Sequence, residues 1–204
     1  PQLGSPGPGA LMIDGVFLFC LGGDLTARDA YTGREMWRRA NANTDTVCGP
    51  GSVFLRYSET VVRLDPGTGK EIRSYKPPAE AHWQRMAATR DGKTLYLVAG
   101  GKDWTAMLAM DVATGKLLWQ CGGPGKTEPH SGGWSVIGDG YIYCVGGAAE
   151  GPRRDEAFAD MREYLKRTDP QRLAQYEKEL DQRDVRMLAT IDAKTGKLLH
   201  ERGV

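Results

Sequence analysis

Four short segments of this chain are copies of one another. Asp29-Ala30-Tyr31-Thr32-Gly33-Arg34, Asp65-Pro66-Gly67-Thr68-Gly69-Lys70, Asp111-Val112-Ala113-Thr114-Gly115-Lys116 and Asp192-Ala193-Lys194-Thr195-Gly196-Lys197 all fit D-x-x-T-G-[KR]. A turn signature that recurs along a chain marks copies of one structural unit. The residue types explain the turn. A strand ends at the Asp, whose carboxylate can accept hydrogen bonds from the backbone N–H groups that follow. The Gly supplies a positive φ that closes a type I turn with a bulge. The next strand leaves with Lys or Arg toward water, and in two copies it ends in Trp37 or Trp119, a flat surface for a neighbouring unit. The Asp residues could be read as metal ligands, but their recurrence in every copy favours turn caps.

The copies stand 36, 46 and 81 residues apart. The first two intervals are near the period of about 40–50 residues found in propeller blades. The third is one period plus an insertion of similar length. Each unit divides into four strands, and Asp14-Gly15, Asp91-Gly92-Lys93 and Asp139-Gly140 supply tight turns between the first and second strands of three units. The expected fold is all-β, with four four-stranded antiparallel propeller blades at about residues 10–40, 46–76, 85–121 and 133–202. Residues 148–184 break the pattern and turn densely charged. Phe158, Met161 and Leu165 share one face of a helix over Asp155–Arg167, and Leu173, Tyr176 and Leu180 share one face of a helix over Pro170–Arg183. Asp169 is its expected N-cap, with Pro170 at the first helical position. The two helices are expected to form a hairpin inserted between the second and third strands of the fourth blade, either as a partner-binding arm or as a loop packed on the rim.

Composition agrees with a turn-rich β chain: 27 glycines and 11 prolines among 204 residues exceed the usual share of about 12%. A net charge of +1 gives no electrostatic case for nucleic acid or an anionic membrane. No apolar run is long enough to span a bilayer. The chain opens at Pro1, which reads as a piece of a longer protein. Cys20, Cys48, Cys121 and Cys144 include no CxxC pair, and their spacing selects no disulfide pattern. Cys20 and Cys144 lie in apolar strand segments, where small buried residues are expected. Gly122 to Thr127 falls short of a phosphate-binding loop, and no G-x-S-x-G elbow supports a hydrolase. His82-Trp83 and His130 with Trp134 open the first strands of the third and fourth units. They are candidates to face a central funnel, against the plainer reading of loop polarity and packing.

The four turns, with Trp37 and Trp119, resemble the repeat of the quinoprotein, or PQQ-like, β-propellers, roughly A-x-D-x-x-T-G-x-x-x-W. Ala27 and Ala109 fit its opening; Arg63 and Thr190 depart from it, and Arg73 and His200 replace the docking Trp. The resemblance covers nearly the whole chain outside the insertion. It implies a WD40-like radial arrangement in which four blades are half of an eight-bladed ring. It also implies two open blade faces, to be covered by the remaining blades of a longer protein or by a second copy. One functional expectation is a non-catalytic, periplasmic or otherwise extracytoplasmic scaffold, similar to the lipoprotein of the outer-membrane β-barrel assembly machinery, that binds a protein partner through rim loops or the helical insertion. The alternative is part of a PQQ-dependent alcohol or sugar dehydrogenase, with quinone and calcium in the funnel. Such enzymes often carry vicinal cysteines and a Glu, Asn and Asp calcium cluster. Neither is visible here, so no catalytic, cofactor-binding or metal residues are expected.

Overall fold

The computed structural model describes residues 10–21, 23–40, 42, 45–57, 59–102, 104–124, 134–138, 140–148, 151–180 and 185–203. The chain divides into two compact units, Pro1–Lys126 and Thr127–Val204.

The first unit holds three sheets. β1 (Leu11–Ile13), β2 (Val16–Leu21), β3 (Asp24–Asp29) and β4 (Glu35–Arg39) form one. The second contains β5 (Asp45–Gly49), β6 (Ser52–Arg56), β7 (Val61–Leu64) and β8 (Glu71–Tyr75). The third contains β9 (His82–Ala88), β10 (Thr94–Gly100), β11 (Thr105–Asp111) and β12 (Leu117–Gly122). The second unit holds one sheet, β13 (Trp134–Gly138), β14 (Tyr141–Ala148), β15 (Arg186–Asp192) and β16 (Leu198–Gly203). Helices α1 (Gly151–Thr168) and α2 (Pro170–Glu179) lie between β14 and β15. Every sheet is an antiparallel meander in sequence order, as expected for blades whose neighbouring strands are joined by short turns. Each Asp-Gly turn of the repeat joins the third and fourth strands of its sheet.

Strand pairing runs further than the sequence suggests. β9 begins at His82, ahead of the blade boundary expected at about residue 85, and β10 continues to Gly100. A bulge between Val98 and Ala99 lets the ladder resume as Ala99↔Trp83 and Gly100↔His82. The glycine signals a strand end in the sequence, yet its backbone still pairs.

All four sheets share one register. The repeat Asp pairs with the first residue of the second strand, as in Val16↔Asp29, Thr94↔Asp111 and Tyr141↔Asp192. The fourth strand carries a bulge in every sheet, at Met36, Ile72, Leu118 and Leu199. These four apolar residues are exposed as a consequence. A bulge on the outermost strand twists that edge away from further pairing.

Within the first unit, alternation sorts residues onto two cores. Ile13, Val16, Leu18, Leu25 and Ala27 of the first sheet pack with Val53, Leu55, Val62 and Leu64 of the second. The other face of the second sheet presents Phe54, Val61 and Tyr75 to Trp83, Leu95, Leu97, Ala106 and Leu108 of the third. The second sheet is therefore apolar on both faces, and the three sheets of this unit bury each other's surfaces.

Candidate functional site

The four repeat turns are built alike. In each, the Asp Oδ1 accepts the backbone N–H of the Thr three residues on, at 2.6–2.8 Å. It also accepts the same threonine's hydroxyl, again at 2.6–2.8 Å. The Gly N–H bonds back to the Asp carbonyl, and Gly33, Gly69, Gly115 and Gly196 take φ of 67–72°, a region that costs a side chain but not glycine. The Asp N–H is bonded by the carbonyl of the Arg or Lys five residues on, at 2.9 Å in every copy. Thr32, Thr68, Thr114 and Thr195 are thus part of the device, a role that the sequence pattern shows only as recurrence.

These bonds hold the carboxyl groups below the usual aspartate range. For Asp65, Asp111 and Asp192 the threonine hydroxyl is the largest cause, followed by the threonine N–H; for Asp29 the order is reversed. The carboxylates are spent on their own turns. Among the described residues, no three His, Cys, Asp or Glu side chains come together to hold a metal ion.

The turns serve as sockets. Trp37 lies against Gly69, where a Cβ would stand 2.6 Å from the indole, and its Nε1 donates to Pro66 O at 2.7 Å. Arg73 lies on Gly115 in the same way: a Cβ there would stand 2.9 Å from its Cδ, and its Nη2 donates to Ala113 O at 3.1 Å. The replacement of Trp by Arg changes the packing and keeps the plug. Trp119 stacks obliquely on Tyr96 of its own sheet. Arg56 makes a further link across sheets, pairing with Asp45 at 2.6 Å and donating to Trp83 O at 2.8 Å.

The funnel-facing candidates separate. Trp83 is buried, packs in the core between the second and third sheets and donates its Nε1 to Tyr75 O at 3.0 Å, so it faces no funnel. Burial of so large a ring outweighs exposure at the strand end. His82, one residue earlier, is exposed. His130 lies outside the described residues. Trp134 opens β13 opposite Val145, and its side chain also lies outside them. The four cysteines are thiols. Cys144 is buried as expected, whereas Cys20 is only half-buried.

The helical insertion is an arm on an intact blade. β14 and β15 pair from Tyr141↔Asp192 to Ala148↔Arg186 beneath it, with one irregularity between Gly146 and Ala148. Asp169 caps α2 through Arg172 N at 3.0 Å, with Pro170 in the first turn. α1 starts at Gly151, earlier than expected, and α2 ends at Glu179, with Arg154 donating to the Leu180 carbonyl. Phe158 and Leu180 pack with Val185 and Met187, which lead into and begin β15. The expected stripe is corrected at Met161, which is exposed. Arg162 takes its place at the seam: its guanidinium lies over Phe158 and pairs with Glu177 at 2.9 Å. Met161 and Tyr164, three residues apart and therefore neighbours on the helix surface, are left facing solvent. Among the described residues no helix is long and apolar enough to cross a membrane.

Similarity to known proteins follows the blades. No curated protein matches the chain in sequence. Among solved structures it resembles the quinohemoprotein alcohol dehydrogenase ADHIIG from Pseudomonas putida, with TM-score 0.57 and 15% identity over 94% of this chain and 33% of that one. A chain of the Mitotic Checkpoint Complex gives TM-score 0.55 and 12% identity over 94% of this chain and 49% of that one. The WD40 domain of Neurospora crassa Pan2 gives 0.53 and 9% over 95% and 51%. The chain thus spans a third to about half the length of these proteins, and such identities speak to fold alone. The sequence model described as outer membrane protein assembly factor BamB matches residues 14–151, through three of the four repeat turns. By that match over more than half of its length, the chain belongs to the PQQ-like propeller family of the BamB type.

Proposed function

We propose that this chain is a non-catalytic, extracytoplasmic propeller segment that binds a protein partner, with the helical arm as a main contact element. The arm carries the reading. It is inserted without interrupting the β14–β15 ladder, is anchored by one face through Phe158 and Leu180, and holds Met161 and Tyr164 out in solvent. An exposed apolar pair on a helix rimmed by charges suits protein contact. The family supports the same reading, since its name is that of an assembly factor. The repeat carboxylates are engaged in turns, and the cysteines are far apart in sequence, so these residues do not fit a quinone with its calcium ion.

Two measurements test the proposal. Deleting residues 151–184 and joining the strands with a short Gly-containing turn is expected to keep the β circular dichroism signal and to abolish capture of the partner. Global unfolding would make the arm part of the core and end its role as a docking element. Titration with PQQ and calcium, followed by absorbance and dye-linked alcohol oxidation, is expected to give no saturable binding. Stoichiometric binding with turnover would favour the dehydrogenase reading instead.

A further inference from the structure

The two junctions inside the first unit are alike in apolar packing and unlike in polar fastening. The second junction joins the second and third sheets. Arg56 Nη1 donates across it to Trp83 O at 2.8 Å, and Arg63 Nη1 and the Tyr75 hydroxyl donate to Val112 O at 3.0 and 3.2 Å. Arg73 Nη2 donates to Ala113 O at 3.1 Å, and Trp83 Nε1 donates back to Tyr75 O at 3.0 Å. Phe54, Tyr75 and Trp83 are buried in the same seam. The turns between first and second strands also pack there. A Cβ on Gly92 would stand 3.1 Å from Pro50 Cδ, and one on Gly49 would stand 3.4 Å from Ala88 Cβ.

The first junction joins the first and second sheets. Its buried seam is aliphatic, with Ile13, Val16, Leu18 and Leu25 against Val53, Leu55, Val62 and Leu64. Among the described residues its hydrogen bonds are fewer. Trp37 Nε1 donates to Pro66 O at 2.7 Å, and the Gly51 N–H donates to Asp14 Oδ2 at 3.0 Å. Cys20 adds a thiol hydrogen bond with Thr46, weak for sulfur. Arg39 and Glu71 add a partly exposed ion pair at 3.8 Å, a kind that contributes little in water. Trp37 is the better plug, but it has little help.

Asp14 has the position of a latch. It takes a φ of +48° in the two-residue turn between β1 and β2, a region that disfavours most side chains and that an Asp-Gly turn accepts. Its exposed carboxylate reaches the turn of the next blade, where water can replace it.

We propose that the first junction is a hinge. The first and second blades part along their aliphatic seam while the second and third stay joined, and Asp14 is the latch that holds the seam shut. The plug at Trp37 and the latch at Asp14 open together, because both bridge the same two sheets. Openings short of global unfolding follow the least fastened boundary. The inference is independent of what the scaffold binds and of what covers the other face of the first sheet.

The test is native-state hydrogen exchange of the full chain, followed by proton–nitrogen NMR at a series of low urea concentrations. Each junction carries its own reporter, the indole N–H of Trp37 at the first and of Trp83 at the second. The Trp37 indole is expected to exchange at least about tenfold faster than that of Trp83. Its rate should rise with urea, as an opening that exposes surface requires and a local fluctuation does not. Asp14→Gly suits the turn and removes the latch. It should speed exchange at Trp37 at least about threefold and leave Trp83 unchanged. Asp14→Asn suits the same turn, keeps an accepting oxygen and should stay near the parent. Circular dichroism checks that both variants fold. Equal rates at the two indoles would overturn the hinge. So would a Trp37 rate independent of urea, or an Asp14→Gly variant whose Trp37 exchange matches the parent.

Discussion

The first two blade junctions solve one problem with different side chains. At the first, an indole rests flat on Gly69 and donates to Pro66 O. At the second, a guanidinium rests on Gly115 and donates to Ala113 O. The receiving side is fixed, because the Asp-Thr-Gly turn always presents a Cα without a side chain and a nearby carbonyl. The plug varies, because the contact asks only for a flat group with one N–H. The two plugs differ in quality: among the described residues Arg73 Nε is buried without a hydrogen-bond partner, and an unsatisfied buried donor is a cost that Trp37 does not carry.

The largest expected effect lies in that difference. Trp37→Ala removes ring packing and a buried hydrogen bond and should cost about 3 kcal/mol in urea unfolding. Arg73→Met keeps the packed stem, loses the bond to Ala113 O and removes the unpaired donor, and should stay within about 1 kcal/mol of the parent. Equal losses at the two sites would mean that the plugs are energetically alike, and the comparison would collapse.

The sockets sharpen it further. Gly69→Ala and Gly115→Ala impose the same strain, since φ is +67° and +72°. Only the neighbour differs. At Gly69 the new methyl meets a rigid ring at 2.6 Å; at Gly115 it meets the Cδ of a flexible arginine at 2.9 Å. Gly69→Ala should therefore be the worse by about 1–2 kcal/mol, read as the difference of the two urea midpoints. A reversed order would show that Arg73 cannot move aside.

Much of this was legible in the sequence because its cause is local. Asp, Thr and Gly make the turn from atoms within six residues, so spacing alone located all four turns and the strands around them. The arm's existence, the Asp169 cap and its place between two strands were equally local. What escaped depends on partners distant in the chain. The docking role of Arg73 needs the carbonyl of Ala113, the Arg56 clamp needs Trp83 and Asp45, and the burial of Trp83 needs the second sheet. Met161 was placed on the wrong side because apolar spacing cannot see that Arg162, over Phe158 and paired with Glu177, occupies the seam.

The smallest expected effect concerns charge, and it separates the turn from the socket. Asp29, Asp65, Asp111 and Asp192 are all held below the ordinary aspartate value of 3.8 by their threonines. The unfolded carboxyl group takes up its proton at higher pH than the folded one. The stabilisation is therefore complete above 3.8 and is lost as pH falls through the lowered values. Replacing all four by Asn retains an oxygen that can accept from the threonine N–H and hydroxyl but removes the charge. Urea unfolding at neutral pH should then show a modest loss, while the fall in stability below about pH 4 should flatten relative to the parent. An unchanged acid limb would assign the acid sensitivity to other carboxylates, such as Asp91, which is also lowered, first by the Thr89 hydroxyl and then by the Lys93 N–H. Asp65→Asn and Asp29→Asn, taken singly, complete the comparison. Each should relieve a similar share of the acid dependence, because both groups are solvated. At neutral pH Asp65→Asn should lower the urea midpoint more, because its turn seats Trp37 and, among the described residues, the Gly33 socket of the Asp29 turn seats nothing.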